Sequence, residues 1–179
     1  MFANETCAEL LQAQWRHSVL VGFFTKEIAR LRRRNVEVAF LCGLLHDVGK
    51  AVLLNNVDRV LGSAQLAIPV EELWAAVHEQ HVAAGVLLAA EGKLPEQIAG
   101  AIACHHRYED ARSFADMAMT VCLADMIAHL VSPVPHADPI DEQSVRQHAV
   151  LVGLNLYSDQ VDSLLALRER ALEVAEGMQ

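Results

Sequence analysis

The chain has 179 residues, enough for one domain that buries a core without disulfides or a partner. It is 53% hydrophobic and 21% charged, a globular rather than disordered composition, and with 5% aromatic residues Ala, Leu and Val must fill most of the core. Fourteen basic against 23 acidic side chains give a net charge of −9, which opposes broad nucleic-acid binding.

In chain order, Leu10, Leu11, Trp15, Val19, Phe23 and Ile28 recur at helical steps and predict a first helix from about Glu5 to Arg33. Arg30, Arg32, Arg33 and Arg34 cluster at its end, where cations favour the negative end of the helix dipole; an anion or partner contact is the other reading. Asn35 suits the cap of a second helix carrying Val38, Leu41, Leu44 and Leu45, with a break expected near Gly49. A short helix is expected over Val57 to Leu66. Pro69 starts the next, reaching about Glu91, and Pro95 starts another, through His106. A sixth helix covers about Phe114 to Val131.

The stretch Ser132 to Pro139 holds three prolines and reads as a loop. Two terminal helices follow, about Asp141 to Leu151 and Ser158 to Glu176. No convincing period-2 strand occurs; Val36 to Leu41 comes nearest, and its length and context favour helix. The predicted fold class is all-α: one domain of about seven or eight helices over residues 1–179, with the motif-bearing core at 11–130 and C-terminal helices at 140–177.

Cysteines stand at 7, 42, 104 and 122 with no C-x-x-C pair, so no zinc-ribbon or redox motif is present. Cys42 and Cys122 read as small buried hydrophobes and Cys104 as packing, which suits a reducing cytoplasm. The first 20 residues lack the layout of a signal peptide, and no uncharged apolar run approaches the roughly 18 residues of a membrane span. A cytoplasmic location is expected.

The placement of the nine histidines carries the chemistry. His46 and Asp47 are adjacent inside Leu44-Leu45-His46-Asp47-Val48-Gly49-Lys50, a polar pair at the buried end of a helix. Burying an unpaired carboxylate costs several kcal/mol, and a metal ion removes that cost. His105 and His106 form a second pair after the apolar run Ile98 to Cys104. Asp125 lies in the otherwise apolar run Val121 to Ala128. His17 begins an apolar stretch, and His81 precedes by four residues Gly85, a residue that permits close helix approach. Each alone is a weak sign, since a single helical histidine is more often a packing or surface residue. Together they place histidine or aspartate in apolar settings on successive helices, and imidazole with carboxylate suits zinc, manganese or iron.

The order His17, His46-Asp47, His81, His105-His106, Asp125, with the motif His-Asp-x-Gly-Lys, resembles the HD superfamily of metal-dependent phosphohydrolases. Trp15-x-His17-Ser18, His81-x-x-x-Gly85, Leu94-Pro95, Ala101-Ile102-Ala103-Cys104-His105-His106 and Leu123-Ala124-Asp125 resemble its HDOD branch, found in bacterial signalling proteins. The resemblance spans roughly residues 11 to 130. It implies that His17, His46, Asp47 and Asp125 bind a first metal, and that Asp47 bridges to a second held also by His81, His105 and His106. One or two divalent ions (Fe, Mn, Zn, Ni or Mg) are expected. Asp47 and Lys50 are the expected catalytic residues, with Lys50 near a substrate phosphate while metal-activated water attacks phosphorus. A lysine exposed after a helix end is the other reading of Lys50.

Arg107-Tyr108-Glu109-Asp110 stands where relatives that cleave cyclic di-GMP carry Gly-Tyr-Pro, which argues against that activity. Ala13 stands where some relatives place a glutamate for a third metal, so at most two metals are expected. HDOD domains usually carry further helices before the Trp-x-His-Ser segment, so the chain resembles the later part of that domain. The expected function is a phosphohydrolase or phosphodiesterase acting on a nucleotide or similar phosphate ester. The alternatives are a signalling module that acts through a protein partner, and a metal-stabilised structural domain. The ligand set favours the enzyme; the missing signature and the branch favour the module.

Of the other histidines, His78 shares a helix face with His81 and reads as surface before site support. His129, one turn after Asp125, is weighed as a possible support of the site. His136 and His148 read as solvent-facing. Asp47→Asn is expected to strip metal and activity, and to raise the stability of the metal-free protein by removing a buried charge.

Overall fold

The computed structural model describes residues 2–64, 68–134 and 138–178, and every regular element among them is helical. The periodicity of the first segment folds as α1, Phe2–Leu31. Arg33, the expected end, is instead the residue that turns the chain: its φ of 55° is left-handed, and Arg34 N–H donates back to Ala29 O. Asn35 then caps α2, Val36–Leu45, its side chain accepting from the Glu37 and Val38 N–H groups.

The break expected near Gly49 falls earlier, at His46-Asp47, and Gly49 lies in the first turn of α3, Val48–Ala64. Gly49 serves close packing rather than a turn: a Cβ there would lie 1.9 Å from His81 O and 2.7 Å from Gly85 N. The short helix expected from Val57 is the later part of α3, and its expected end, Leu66, lies outside the described residues. Helices α4, Val70–Glu91, and α5, Glu96–Cys104, begin after Pro69 and Pro95, which hold the extended capping position rather than the first turn. A 3-10 turn at Tyr108–Asp110 leads to α6, Ala115–Val131. The predicted loop after it contains His136, which lies outside the described residues.

Each of the two terminal helices expected is broken in two, giving α7, Glu142–Gln147, α8, Val150–Leu154, α9, Ser158–Leu165, and α10, Arg168–Gly177. His148 makes the first break. Its backbone is extended and its Nδ1 accepts the Val150 N–H at 3.2 Å, so it is half-buried rather than solvent-facing.

Helix α1 packs against α2, α3, α6, α9 and α10, and α4 packs against α3 and α5. Leu20, Phe24, Ile28, Ile102, Leu123, Ile127, Leu154 and Leu164 are fully buried in one continuous core. Each contributes roughly 1.5–3 kcal/mol by leaving water. A smaller cluster of Leu10, Leu54, Trp74, Val77 and Val134 forms a second apolar patch. Cys42 is fully buried and Cys122 half-buried, and burial pushes both thiols up to about 12, so they pack rather than react. No helix among the described residues is long and apolar enough to cross a membrane.

The arginine cluster acts inside the fold. Arg32 donates two hydrogen bonds to the Asp116 carboxylate, at 2.8 and 2.6 Å, and a third from Nε to Leu154 O at 2.9 Å. It thus clamps the end of α1 to the start of α6 and the end of α8, while Arg30 pairs with Glu27. The guanidinium holds the Asp116 carboxyl below its usual range. The clamp is therefore complete at neutral pH and weakens as the pH falls through that lowered folded-state value. Arg32→Ala is expected to cost about 2 kcal/mol, and a thermal melt at pH 7 should show a Tm lower by roughly 4–8 °C. An unchanged Tm would mean that the clamp contributes nothing.

Candidate metal centre

Asp47 sits at the His46-Asp47 break between α2 and α3 and is 2% exposed. The Gly49–Gly85 approach draws α4 onto that break, which brings the His81 side chain, one turn before Gly85, to Asp47. His81 Nε2 lies 3.1 Å from Asp47 Oδ1. From the end of α5, His105 Nε2 lies 3.5 Å from the same oxygen. His81 Nε2 is also 3.4 Å from His105 Nε2 and 3.1 Å from His106 Nε2. His106 is the exposed member of this group.

The tautomers explain what such crowding needs. His81 Nδ1 faces His78 O at 2.5 Å, and His105 Nδ1 faces Ile102 O at 3.0 Å. A carbonyl only accepts, so each Nδ1 must carry a proton, and in the neutral ring Nε2 is then the lone-pair atom. Several lone pairs thus meet a carboxylate oxygen that has no hydrogen-bond donor among the described residues. A proton can satisfy one pair of such atoms, whereas a cation satisfies them all. The spacing agrees, since donors bonded at about 2.0–2.2 Å around one ion sit roughly 3.0–3.5 Å apart.

On the other side of Asp47, His46 Nε2 lies 3.3 Å from Asp47 Oδ2 and 3.6 Å from Asp125 Oδ1. Its Nδ1 donates to Gly43 O at 2.7 Å. His17 Nε2 lies 2.8 Å from Asp125 Oδ1, with the histidine side chain 1% exposed. All seven residues singled out for metal binding therefore meet in one continuous cluster. Among them Asp47, His81, His105 and His106 form one group with metal-ligand spacing, and His17, His46 and Asp47 another. Burial alone would favour neutral His46, but the Asp47 and Asp125 carboxylates push its pKa up to about 10. Burial likewise opposes ionised Asp47, yet the cations of His46 and Lys50 hold that carboxyl well below its usual range. A metal ion would replace the His46 proton.

Lys50 is not an exposed lysine after a helix end. It is 4% exposed, and its Nζ donates to Asp47 Oδ2 at 2.5 Å. The same ammonium lies 5.7 Å from the ring centroid of Trp74. Both line a cleft of about 580 Å³ that opens onto the cluster, together with His78, His106, Asp125 and His129, and with exposed Glu71 and Asp138 at its outer wall. His78 is exposed, as its sequence context suggests, but faces this cleft.

Two further residues join the site. Buried Gln14 donates to Asp47 Oδ2 at 3.2 Å and to Ser18 Oγ at 3.4 Å. Its only sequence signal is the helical spacing that puts it on the His17 face. His129 Nε2 lies 3.5 Å from Asp125 Oδ1. Burial lowers the His129 pKa to about 4, so the ring is neutral at pH 7 with a lone pair free.

A family model for the HDOD domain matches residues 1–108. The chain belongs to the HDOD domain family. The HDOD match covers α1 to α5 and the loop to Tyr108, and so includes His17, His46-Asp47, His81 and His105-His106. The chain is also 32% identical over 105 residues to Ribonuclease Y of Mycoplasmoides gallisepticum. That similarity takes in 55% of this chain and 16% of the ribonuclease, so the chain spans a small part of that relative's length. No solved structure matches the chain significantly.

Proposed function

We propose that this HDOD chain is a metal-dependent phosphohydrolase that cleaves a small phosphodiester or nucleotide-type phosphate ester. The observation that supports it is the convergence of imidazole Nε2 atoms from α4 and from the ends of α2 and α5 on the two oxygens of buried Asp47. On this reading His17, His46, Asp47 and Asp125 hold one divalent ion, and Asp47, His81, His105 and His106 hold a second. Ions in such a site supply Lewis acidity at a phosphoryl oxygen and lower the pKa of water. The nitrogen-rich donor set suits iron, manganese, zinc or nickel ahead of magnesium.

This chain's own residues do the rest. Asp47 presents one oxygen to each histidine group. The backbone carbonyls of Gly43, His78 and Ile102 fix the rings of His46, His81 and His105. Lys50 stands between Asp47 and the cleft, where its ammonium meets an incoming phosphate, and Trp74 forms the apolar wall beside it. The name of the ribonuclease relative speaks of RNA cleavage in that protein, and it supports a phosphodiester substrate here. The net charge of −9 and a cleft of only about 580 Å³ favour a small ester over an RNA strand. Residues 1–179 read as one unit, because the terminal helices share the main core with α1 and α6. The thiols of Cys42, Cys104 and Cys122 form no disulfide among the described residues, which fits a cytoplasmic location.

Metal analysis of the purified protein, followed by a phosphatase and phosphodiesterase screen with manganese, tests this reading. Lys50→Ala is expected to keep the metal content and to lower kcat/KM for a phosphate ester by roughly ten- to a hundredfold, the value of a charge-assisted hydrogen bond. If metal is lost in step with turnover, Lys50 is not a phosphate contact. The second reading is a signalling module that keeps the fold and the metal but works through a protein partner. The carboxylates of Glu71 and Asp138 at the mouth of the cleft favour it, because they repel a phosphate. A metal-loaded protein that turns over nothing across the panel decides for the module.

A further inference from the structure

The seven-ligand centre leaves the imidazole of His129 without a role. His129 lies one turn after Asp125 on α6, with its ring centroid 4.4 Å from that of His17. A hydrogen-bonded support of Asp125 is the simplest account, and the geometry is against it. Asp125 Oδ1 already takes His17 Nε2 at 2.8 Å, and His129 Nε2 stands off at 3.5 Å, too far for a good hydrogen bond. A separation of 3.5 Å is instead that of two donor atoms sharing an ion. One donor atom from each of His17, Asp125 and His129 falls within 4.8 Å of the others. His129 stands with Asp125 on the open side of the three. Its side chain is 16% exposed against 1% for His17, and it lines the cleft.

We infer that His129 is a ligand of the ion proposed at His17, His46, Asp47 and Asp125, raising its donor set to three imidazoles and two carboxylates. This rests on the metal-centre reading above. It adds a chemical consequence: with three imidazoles on each side of Asp47, both positions select iron, zinc, cobalt or nickel over magnesium.

The test uses the full chain, stripped with chelator and titrated with zinc, with bound equivalents and affinities read by competition against a chromophoric chelator. In His129→Ala, one of the two zinc affinities should fall about tenfold or more while the other is unchanged. The visible spectrum of the cobalt-loaded protein should change with it. Truncation also loses packing against the His17 ring, so zinc should raise the Tm of the variant less than that of wild type, each measured against its own metal-free melt. His129→Glu, which restores a donor, should recover the second equivalent and shift its preference from zinc towards manganese. Wild-type affinities and an unchanged cobalt spectrum in His129→Ala would overturn the inference. So would a His129→Glu protein as poor as His129→Ala, because the position would then act by packing. A wild type that binds no metal at all would overturn the metal centre itself, which is a different failure.

Discussion

Gly49→Ala is expected to lower the Tm by roughly 6–12 °C and to strip metal from the centre, although Gly49 is no ligand. A Cβ at this position would lie 1.9 Å from the backbone oxygen of His81 and 2.7 Å from Gly85 N. Overpacking a core costs about 1–3 kcal/mol when side chains can give way. Here the obstacles are backbone atoms of α4, so α3 and α4 must separate and the cost lies at or above the top of that range. The separation acts on the site directly. Asp47 lies two residues before Gly49, and His81 is the residue struck, so the 3.1 Å approach of His81 Nε2 to Asp47 Oδ1 opens. Gly85→Ala is the internal comparison. Its Cβ would meet Ile102 Cγ2 at 2.7 Å, a side-chain methyl rather than the backbone of another helix, so it should cost less than Gly49→Ala and keep more metal. Melts and metal analysis of the two variants decide the matter. A Gly49→Ala protein with wild-type Tm and metal content would show that the close approach does not position the ligands.

Asp47→Asn is expected to remove bound metal and to lower any phosphohydrolase activity by orders of magnitude, because both histidine groups lose their shared anionic ligand. The structure reverses the sequence-based expectation for the metal-free protein. Asp47 is not an isolated buried charge: Lys50, 4% exposed, holds it at 2.5 Å, and His46 is the second cation beside it. An amide leaves that ammonium buried without its counter-ion. Breaking one partner of a buried pair costs about 3–5 kcal/mol, so the metal-free variant should melt well below the metal-free wild type. Denaturation in excess chelator measures this. The double change Asp47→Asn with Lys50→Met should recover much of the loss, since no unpaired charge then remains. If Asp47→Asn alone is as stable as the metal-free wild type, the Asp47–Lys50 pair is not the stabilising contact described.

Which residues gather at the site was legible in the sequence, because chemistry of that kind leaves a compositional trace. Imidazoles and carboxylates inside apolar helical runs are costly unless paired, and His17, His46, Asp47, His81, His105, His106 and Asp125 stood out for that reason. His129 and Gln14 left a fainter trace. Each lies one helical step from a marked residue, and helical spacing alone does not tell a face turned to a partner from one turned to water.

The all-α class and the limits of α1, α2, α4, α5 and α6, within a few residues, followed from period, caps and prolines, which act over one or two turns of chain. Tertiary structure decided the rest. Gly49 carries the same local signal whether it ends a helix or lets two helices touch, and only the arrival of His81 O and Gly85 N shows which. Lys50 after a motif glycine looks solvent-bound in one dimension, and becomes buried because Trp74 of α4 and Asp47 close around it. Arg32 looks like a cation at a helix end, and its partners, Asp116 and Leu154, are 84 and 122 residues away. The break at His148 is local, its extended backbone and its Nδ1 accepting the Val150 N–H, but a histidine side chain is not among the usual cap signals and so did not mark it.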